Sequence, residues 1–551
     1  MAVRPASDGT GTLEDSVSEL TAEPRATSPD DVEIPTAVAD APKMSGDRRS
    51  LFKFGAAAIA GLLMPSVVKA QGKARTKGPT TSTGHEPQSP NAMPRPAGID
   101  SSVAWLSPEA RLVRRISMGL TDAEVTRAKT MGYSAYLEYQ LADAAIDDTA
   151  VDQFVATNYP FTTQDVSTLY NADTTQVQNQ IIYATIYRSI YSARQLKERA
   201  VEFWSDHFNI ATAKVGYLKL PDDRDVIRAN ALTTFPQLLR ASAHSPAMLS
   251  YLDQTASLKA SPNQNYAREI MELHTLGVNG GYTQTDVAEL SRVLTGWTIA
   301  GRGTFTFAAN LHDYGAKTVL GVTIPAAATS TGVAAQQEGE DMLTLLVNHP
   351  STATFVSTRM LIYFLRYDPS PAQIAAVAAI YTSTGGDIKA MLREVLSQAN
   401  LMAAPAKMKR PFHLVASGVR SLNPIVTAAG VLSLAGQIAV AGHQPFNWQT
   451  PDGYPDMINY WAGNMLPRWN YGSFLANANT ATSVQFNVTP FMTTPTAAFI
   501  VGQIDKFLFG GETPQRLKDE LTAYVAVAPT QTARVRETIA LAMASSTYQY
   551  Y

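Results

Sequence analysis

The chain has 551 residues, 45% of them hydrophobic and 17% charged, with 44 Lys+Arg against 47 Asp+Glu and a formal net charge of −3. Length allows a substantial apolar core, and beyond residue 70 the charges balance, so the body gives no electrostatic reason to expect a nucleic-acid or anionic-membrane partner. The absence of cysteine removes disulfides, thiolate nucleophiles, iron–sulfur clusters, covalent c-type haem and Cys-ligated zinc.

Residues 1–45 are rich in Ala, Ser, Thr, Pro and acids, with little periodicity, and read as a disordered leader. Asp47-Arg48-Arg49-Ser50-Leu51-Phe52-Lys53 then enters an apolar run from Phe54 to Val68, closed by Val68-Lys69-Ala70. A twin arginine, a modest hydrophobic region and an Ala-x-Ala-like end resemble a twin-arginine (Tat) export signal. The run is about 15 residues, short of the roughly 20 that cross a bilayer as a helix. The expectation is therefore cleavage after Ala70, no stable membrane span afterwards, and a periplasmic or secreted protein. This pathway carries folded chains, often with a cofactor already loaded. Residues 71–102 are Pro/Ser/Thr/Gly-rich and read as a linker.

From residue 103 to 551 the patterns are mostly helical. Ser107 caps a helix with Pro108 at its first position, and Thr121 with Glu124 makes a capping box for the next. Further helices are expected near 175–210, 222–242, 265–276, 284–295, 336–347, 352–366, 371–382, 386–398, 406–422, 511–526 and 530–547. Only Thr304–Ala308 and Lys317–Ile324 look extended. The fold class is mainly α: one large multi-helical domain with a small β-hairpin insertion near 304–324. No phosphate loop, nucleophile elbow or His-Glu-x-x-His helix is present.

Four stretches concentrate chemistry. On a helix through Lys197–Phe208, Glu202 and Asp206 share a face, and like charges at that spacing repel unless a cation or metal sits between them. Asp206 and His207 together are a candidate metal-ligand pair; the alternative is an aromatic core helix whose acids pair with Arg199 or another basic residue. The second stretch, Asn263–Trp297, places Glu269 and Glu272 on one helical face, with Arg268 four residues before Glu272 and able to pair with it. His274 falls on another side, so this helix alone cannot hold a zinc. Gly280-Gly281 turns the chain, and Thr283 with Asp286 caps the next helix.

The third stretch, Asn310–Lys317, puts His312 and Asp313 on a loop beside Gly315, where general acid–base or ligand roles are expected. Lys317 is placed to hold an anion or pair with Asp313. The fourth, Pro445–Pro455 and on to Trp469, holds Trp448, Trp461 and Trp469, half of the chain's six tryptophans. Exposed, such rings suit sugars; buried, they cover a helical core.

Several ordered segments resemble one family: Arg111–Thr121, Gly132–Leu141, Phe203–Phe208, Asn265–Gly277, Gly281–Val287, Leu294–Trp297 and His312–Gly321, then Lys409–Val415, Trp448–Trp469 and Ser545–Gln549. Together they look like the large bacterial family called domain of unknown function 1800, over about 103–551. The chain departs from its pattern at Tyr136, where the family usually shows Trp, and at Ser546-Thr547, where it shows Ser-Pro. The resemblance implies an exported, mainly helical protein, often encoded beside another exported family that resembles sulfatases and phosphatases, and no established reaction.

Three readings follow. One is an exported hydrolase or lyase acting on an envelope or extracellular polymer or saccharide. Its catalytic residues would be Glu269, Glu272, His312 and Asp313, its substrate contacts Arg268, Trp297, Lys317 and Trp448, and its divalent metal, if used, would sit on Asp206, His207 and His312. The second is a non-catalytic envelope or assembly protein partnering a co-exported protein, in which an Arg268–Glu272 pair is buried and satisfied. The third is a cofactor-binding redox protein.

Overall fold

The computed structural model describes residues 106–327 and 332–551; the expected leader, export signal and linker lie outside them. Helices dominate, and the strands form three two-stranded sheets among the described residues. Local sequence starts many of the helices. Ser107 Oγ accepts from the Ala110 N–H with Pro108 at the first helical position, as a helix N-terminus requires. Thr121 caps the next helix through Glu124 N. The reciprocal half of that box is missing, because the Glu124 carboxylate accepts instead from the Tyr136 hydroxyl at 2.6 Å. At Thr283 both halves form, with Asp286 answering the cap.

The elements that build the site are α1 (Thr149–Asn158), α2 (Thr174–Tyr191), α3 (Gln195–His207), α4 (Gln264–Glu269), α5 (Gln284–Val293), α6 (Gly332–Asn348), α7 (Pro350–Phe364) and α8 (Pro411–Leu422). Buried apolar residues gather into two large clusters. One includes Ala200, Val201, Phe203 and Trp204 of α3 with Val356, Met360 and Phe364 of α7. The other includes Ile181 and Ile186 of α2 with Phe412, Leu414 and Val415 of α8. Helices α3 and α8 thus belong to different cores, and the polar sides they turn toward each other lie along the seam.

Two segments among the described residues are π-helical, Asp222–Arg228 and Ile270–Thr275. The second continues α4 directly, so the continuous helix expected over 265–276 changes pitch after Glu269. Wide π turns are rare and recur at functional sites.

The single hairpin expected near 304–324 is two. Strand β1 (Trp297–Ala300) pairs antiparallel with β2 (Thr304–Phe307), in register from Trp297 opposite Phe307 to Ala300 opposite Thr304. Strand β3 (Lys317–Val319) pairs with β4 (Val322–Ile324). The physical reason is the turn chemistry: Gly301 and Gly303 both have positive φ between β1 and β2, a conformation glycine adopts at no steric cost. The chain therefore reverses immediately before Thr304. No helix among the described residues is long and apolar enough to cross a membrane.

Candidate functional site

Helix α3 presents Arg199, Glu202 and Asp206 toward the first turn of α8 and the segment leading into it. The cation that two carboxylates four residues apart require is Arg410. Its Nη1 donates to Asp206 Oδ2 at 2.5 Å and lies 3.6 Å from Glu202 Oε1. Its Nε reaches Asp456 Oδ1 at 3.4 Å, while Lys407 Nζ donates to Asp456 Oδ2 at 2.6 Å. Arg410 is 2% exposed. One guanidinium thus bridges three carboxylates in a site removed from water, where each contact is stronger than at the surface.

Glu202 Oε2 takes two further bonds, from His413 Nε2 at 2.6 Å and from the Tyr363 hydroxyl at 2.9 Å. Arg199 Nη1 donates to His413 Nδ1 at 2.8 Å. These partners assign His413 as neutral, with its proton on Nε2. Burial and the nearby Arg199 charge agree, drawing its pKa down to about 4.

The two carboxylates are driven apart. Burial pushes Asp206 up to about 6, with Arg410 opposing and the Glu202 charge adding to the rise. Burial acts on Glu202 as well, but the contact with His413 and the guanidiniums of Arg199 and Arg410 outweigh it and hold it well below the usual carboxylate range. Adjacent acids with divided pKa values are the arrangement that acid–base chemistry uses.

Beside this pair lies a cavity of about 30 Å³, lined by Thr185, Glu202, Ser205, Asp206, Arg228 and His443 among others. That is room for one or two waters. Four of its lining atoms are buried without a protein hydrogen-bond partner: Thr185 Oγ1, Glu202 Oε1, Ser205 Oγ and Arg228 Nη2. Buried polar groups are nearly always partnered, so this concentration marks a place that water or a ligand completes. The segment Pro445–Tyr454 covers it, with Gly453, at φ 74°, pressed against the Asp206 carbonyl. Arg228 and its partner Glu198 form a wall of the cavity, and Arg228 also lines an open cleft of about 550 Å³ between α1, α2 and the 222–228 π-helix.

The residues singled out in the sequence go to four places. Asp206 belongs to the site above. His207, its neighbour, does not: its Nε2 donates to the His274 carbonyl at 3.0 Å, and its ring lies among Phe208, Phe235, His274 and Phe355. Burial holds its pKa well below the usual histidine value. Consecutive helical residues point about 100° apart, so the pair divides between an ionic and an aromatic environment.

Glu269 and Glu272 stay half-buried at the edge of the 270–275 π-helix, while His274 is buried. The expected Arg268–Glu272 pair does not form. Arg268 Nη2 donates to Gln284 of α5 at 2.9 Å, and Glu272 accepts from the Tyr282 hydroxyl at 3.1 Å. The helix changes pitch between the two residues, so the four-residue alignment of an α-helix is lost. Burial, then the Glu272 charge, raises the Glu269 pKa, and Asp452 adds to it. Trp448 is half-buried on that same 445–455 segment, its Nε1 donating to Asp452 Oδ1 at 2.9 Å.

The His312 loop is a separate locked unit. His312 Nδ1 donates to the Thr295 carbonyl at 2.7 Å, and its Nε2 faces Lys317 Nζ and Glu338 Oε2 at 3.4 and 3.3 Å. Lys317 pairs with Glu338 of α6 at 2.6 Å, and Asp313 with Arg292 of α5 at 2.7 Å. Lys317 therefore pairs with Glu338 and not with Asp313. Trp297, expected on a substrate surface, is buried against Phe305 and His244, with Gly339 pressed on its ring. Among the described residues no three His, Asp or Glu side chains gather as a metal-ligand set, so Asp206, His207 and His312 do not share one shell.

Sequence reasoning missed Arg410, His413, Lys407, Asp456, Tyr363 and Arg228. The one usable signal was the unpaired like charge at Glu202 and Asp206, which demands a cation from elsewhere. Which of the chain's many basic residues supplies it is set by the meeting of α3 with α8, 204 residues away.

Neither the curated proteins nor the solved structures include a match to this chain. A family model described as "Protein of unknown function (DUF1800)" matches residues 111–550, and the chain belongs to that family.

Proposed function

We propose that this is a protein exported through the twin-arginine route that performs carboxylate-based acid–base chemistry, as a hydrolase or lyase on an envelope or extracellular polymer. The observation that carries the reading is the Glu202–Asp206 pair. An ionised carboxylate keeps one oxygen, Oε1, without a hydrogen bond beside a water-sized cavity, 3.6 Å from the Arg410 guanidinium. Beside it stands a second carboxyl with a pKa near 6, part of which is protonated at neutral pH. In hydrolysis Glu202 Oε1 takes a proton from a water in the cavity as that water's oxygen bonds to the electrophilic centre, and protonated Asp206 gives its proton to the departing oxygen. In elimination Glu202 takes a carbon-bound proton instead. The cavity admits water and not a sugar, so the scissile bond has to reach it where the 445–454 segment closes over Asp206.

The test is turnover of neutral and acidic polysaccharides and of cell-wall polymer by the mature chain, read as new reducing or unsaturated ends. Wild-type protein should release them and Asp206→Asn and Glu202→Gln should each reduce release at least a hundredfold. Turnover that survives both substitutions would sink the assignment.

One observation favours a second reading. Arg410 neutralises Asp206, Glu202 and Asp456 together, as a buried network holding two cores in register would require. A non-catalytic envelope protein serving a co-exported partner predicts no turnover of any polymer, with Asp206→Asn altering stability alone.

A further inference from the structure

The open cleft between α1, α2 and the 222–228 π-helix has a volume of about 550 Å³, the size of a small-molecule site. Helical periodicity decides which side chains reach it. Asp152 and Val155 are three apart on α1, and Ile181 and Arg188 seven apart on α2, so each pair shares one helical face, and those faces line the cleft. The stacked rings of Phe154 and Tyr187, 3.8 Å apart, fix the two helices against each other.

Two of the three guanidiniums in the lining are already consumed. Arg224 bonds Asp225 and the carbonyls of Thr162 and Gln164. Arg228 is held by Asp223 and Glu198, and its remaining nitrogen, Nη2, is buried. Arg188 differs. It is half-buried, none of its nitrogens is sealed from solvent, and it makes no hydrogen bond or ion pair with any described residue. The carboxylates of Asp152 and Asp165 are exposed and pair with no cation among the described residues. Asp165 Oδ1 caps the short helix Val166–Asn171 by accepting from Thr168 N at 2.8 Å, which leaves its charge unneutralised. The Asp152 charge acts on Arg188, whereas that of Asp165 is not among those that do. Asp152 is therefore the acid beside Arg188, and Asp165 the more distant one. Behind the wall Glu198 and Asp223 share the single Arg228 charge, so the cleft is negative overall and favours cationic groups.

We propose that this cleft binds a diamino acid, a free α-amino acid with a second amine at the end of its side chain. One carboxylate and two ammonium groups match one free guanidinium and two free carboxylates. The carboxylate and the α-ammonium of such a molecule share a carbon, so they take the neighbouring Arg188 and Asp152, and the side-chain ammonium reaches Asp165. Arg188 offers the planar paired donors that a carboxylate accepts best. The methylenes between the two amines lie on Val155, Ile181 and Leu220. The inference is independent of the chemistry assigned to Asp206.

Titration calorimetry on the full chain at low ionic strength tests it. Lysine and ornithine probe two side-chain lengths, and three analogues each lack one group. Norleucine lacks the side-chain amine, Nα-acetyl-lysine the α-ammonium and 1,5-diaminopentane the carboxylate. Lysine or ornithine should bind at least tenfold more tightly than every analogue. Asp165→Asn, which can still cap its helix, should weaken the diamino acid at least tenfold, to the level of norleucine, and leave norleucine unchanged. Arg188→Gln should weaken the diamino acid at least tenfold and leave 1,5-diaminopentane unchanged. A merely structural role for either residue would weaken all ligands alike. The ranking of ligands on the wild-type chain decides the matter if a variant fails to fold. No binding of either diamino acid, binding no tighter than norleucine or 1,5-diaminopentane, or an Asp165→Asn protein that keeps the preference would overturn the proposal.

Discussion

Arg410→Met removes the one cation that bridges Asp206, Glu202 and Asp456 while keeping an unbranched side chain of similar length. Glu202 retains bonds from His413 and Tyr363, and Asp456 retains Lys407. Asp206 loses the only ion pair it makes among the described residues. The Arg359 charge still acts on it, but leaving a buried carboxylate without its ion pair costs about 3–5 kcal/mol, and that is the destabilisation expected at pH 8.

The pH dependence gives the reasoning its second edge. In the folded protein burial raises the Asp206 pKa to about 6, above the usual aspartate value. The folded state therefore binds the proton more tightly than the unfolded chain, and stability falls as pH rises from about 4 to about 6, by about 3 kcal/mol. Without Arg410, which opposes that rise, the folded pKa moves higher still. Glu202 has the opposite sign: its depressed pKa contributes stability that is lost only as pH falls below its unfolded value near 4.5. At pH 5 Asp206 is largely protonated in both proteins, so the penalty of the variant should shrink to about half its pH 8 value. Urea unfolding at both pH values, followed by the fluorescence of buried Trp204 and Trp461, measures it. A difference below about 1 kcal/mol at pH 8, or one that does not change with pH, would refute the account of Arg410.

Three further outcomes are expected. Gly453→Ala places a Cβ against the Asp206 carbonyl at a positive φ; overpacking of this kind costs about 1–3 kcal/mol, and the lost unfolding free energy should fall in or above that range. Lys317→Met removes a buried ammonium and leaves the half-buried Glu338 without its ion-pair partner beside His312, so the protein should lose about 3 kcal/mol, the lower end of the range for a broken buried pair. If Lys317 bound an external ligand instead, stability would hold and only binding would change. Replacing Arg48 and Arg49 together by Lys should leave the chain in the cytoplasm, read by cell fractionation; normal export of that variant would remove the twin-arginine reading.

Much of the fold was legible in the sequence because helix signals are local. Ser107 before Pro108, and Thr283 three residues before Asp286, fix helix starts through bonds that close within one turn. The resemblance in Phe203–Phe208 and Asn265–Gly277 was likewise enough to name the family that the model over 111–550 shows. The second hairpin, pairing Trp297–Ala300 with Thr304–Phe307, was missed because strand pairing depends on which segment the chain turns back upon. Gly301 and Gly303 decided that before Thr304 had a partner.

The candidate site divides along the same line. Sequence alone set Glu202 and Asp206 on one helical face and required a cation between them, since 3.6 residues per turn and Coulomb repulsion suffice for both. Tertiary packing alone chose Arg410 as that cation, buried His207 among rings one residue away, and separated the His312 loop from both. It also set Arg228 against Asp223, five residues before it, through a π-helical turn that no propensity announces. A buried charge is stabilised by whatever the folded chain brings within about 3 Å, and that neighbour is a property of how the two cores meet, not of the residues beside it in sequence.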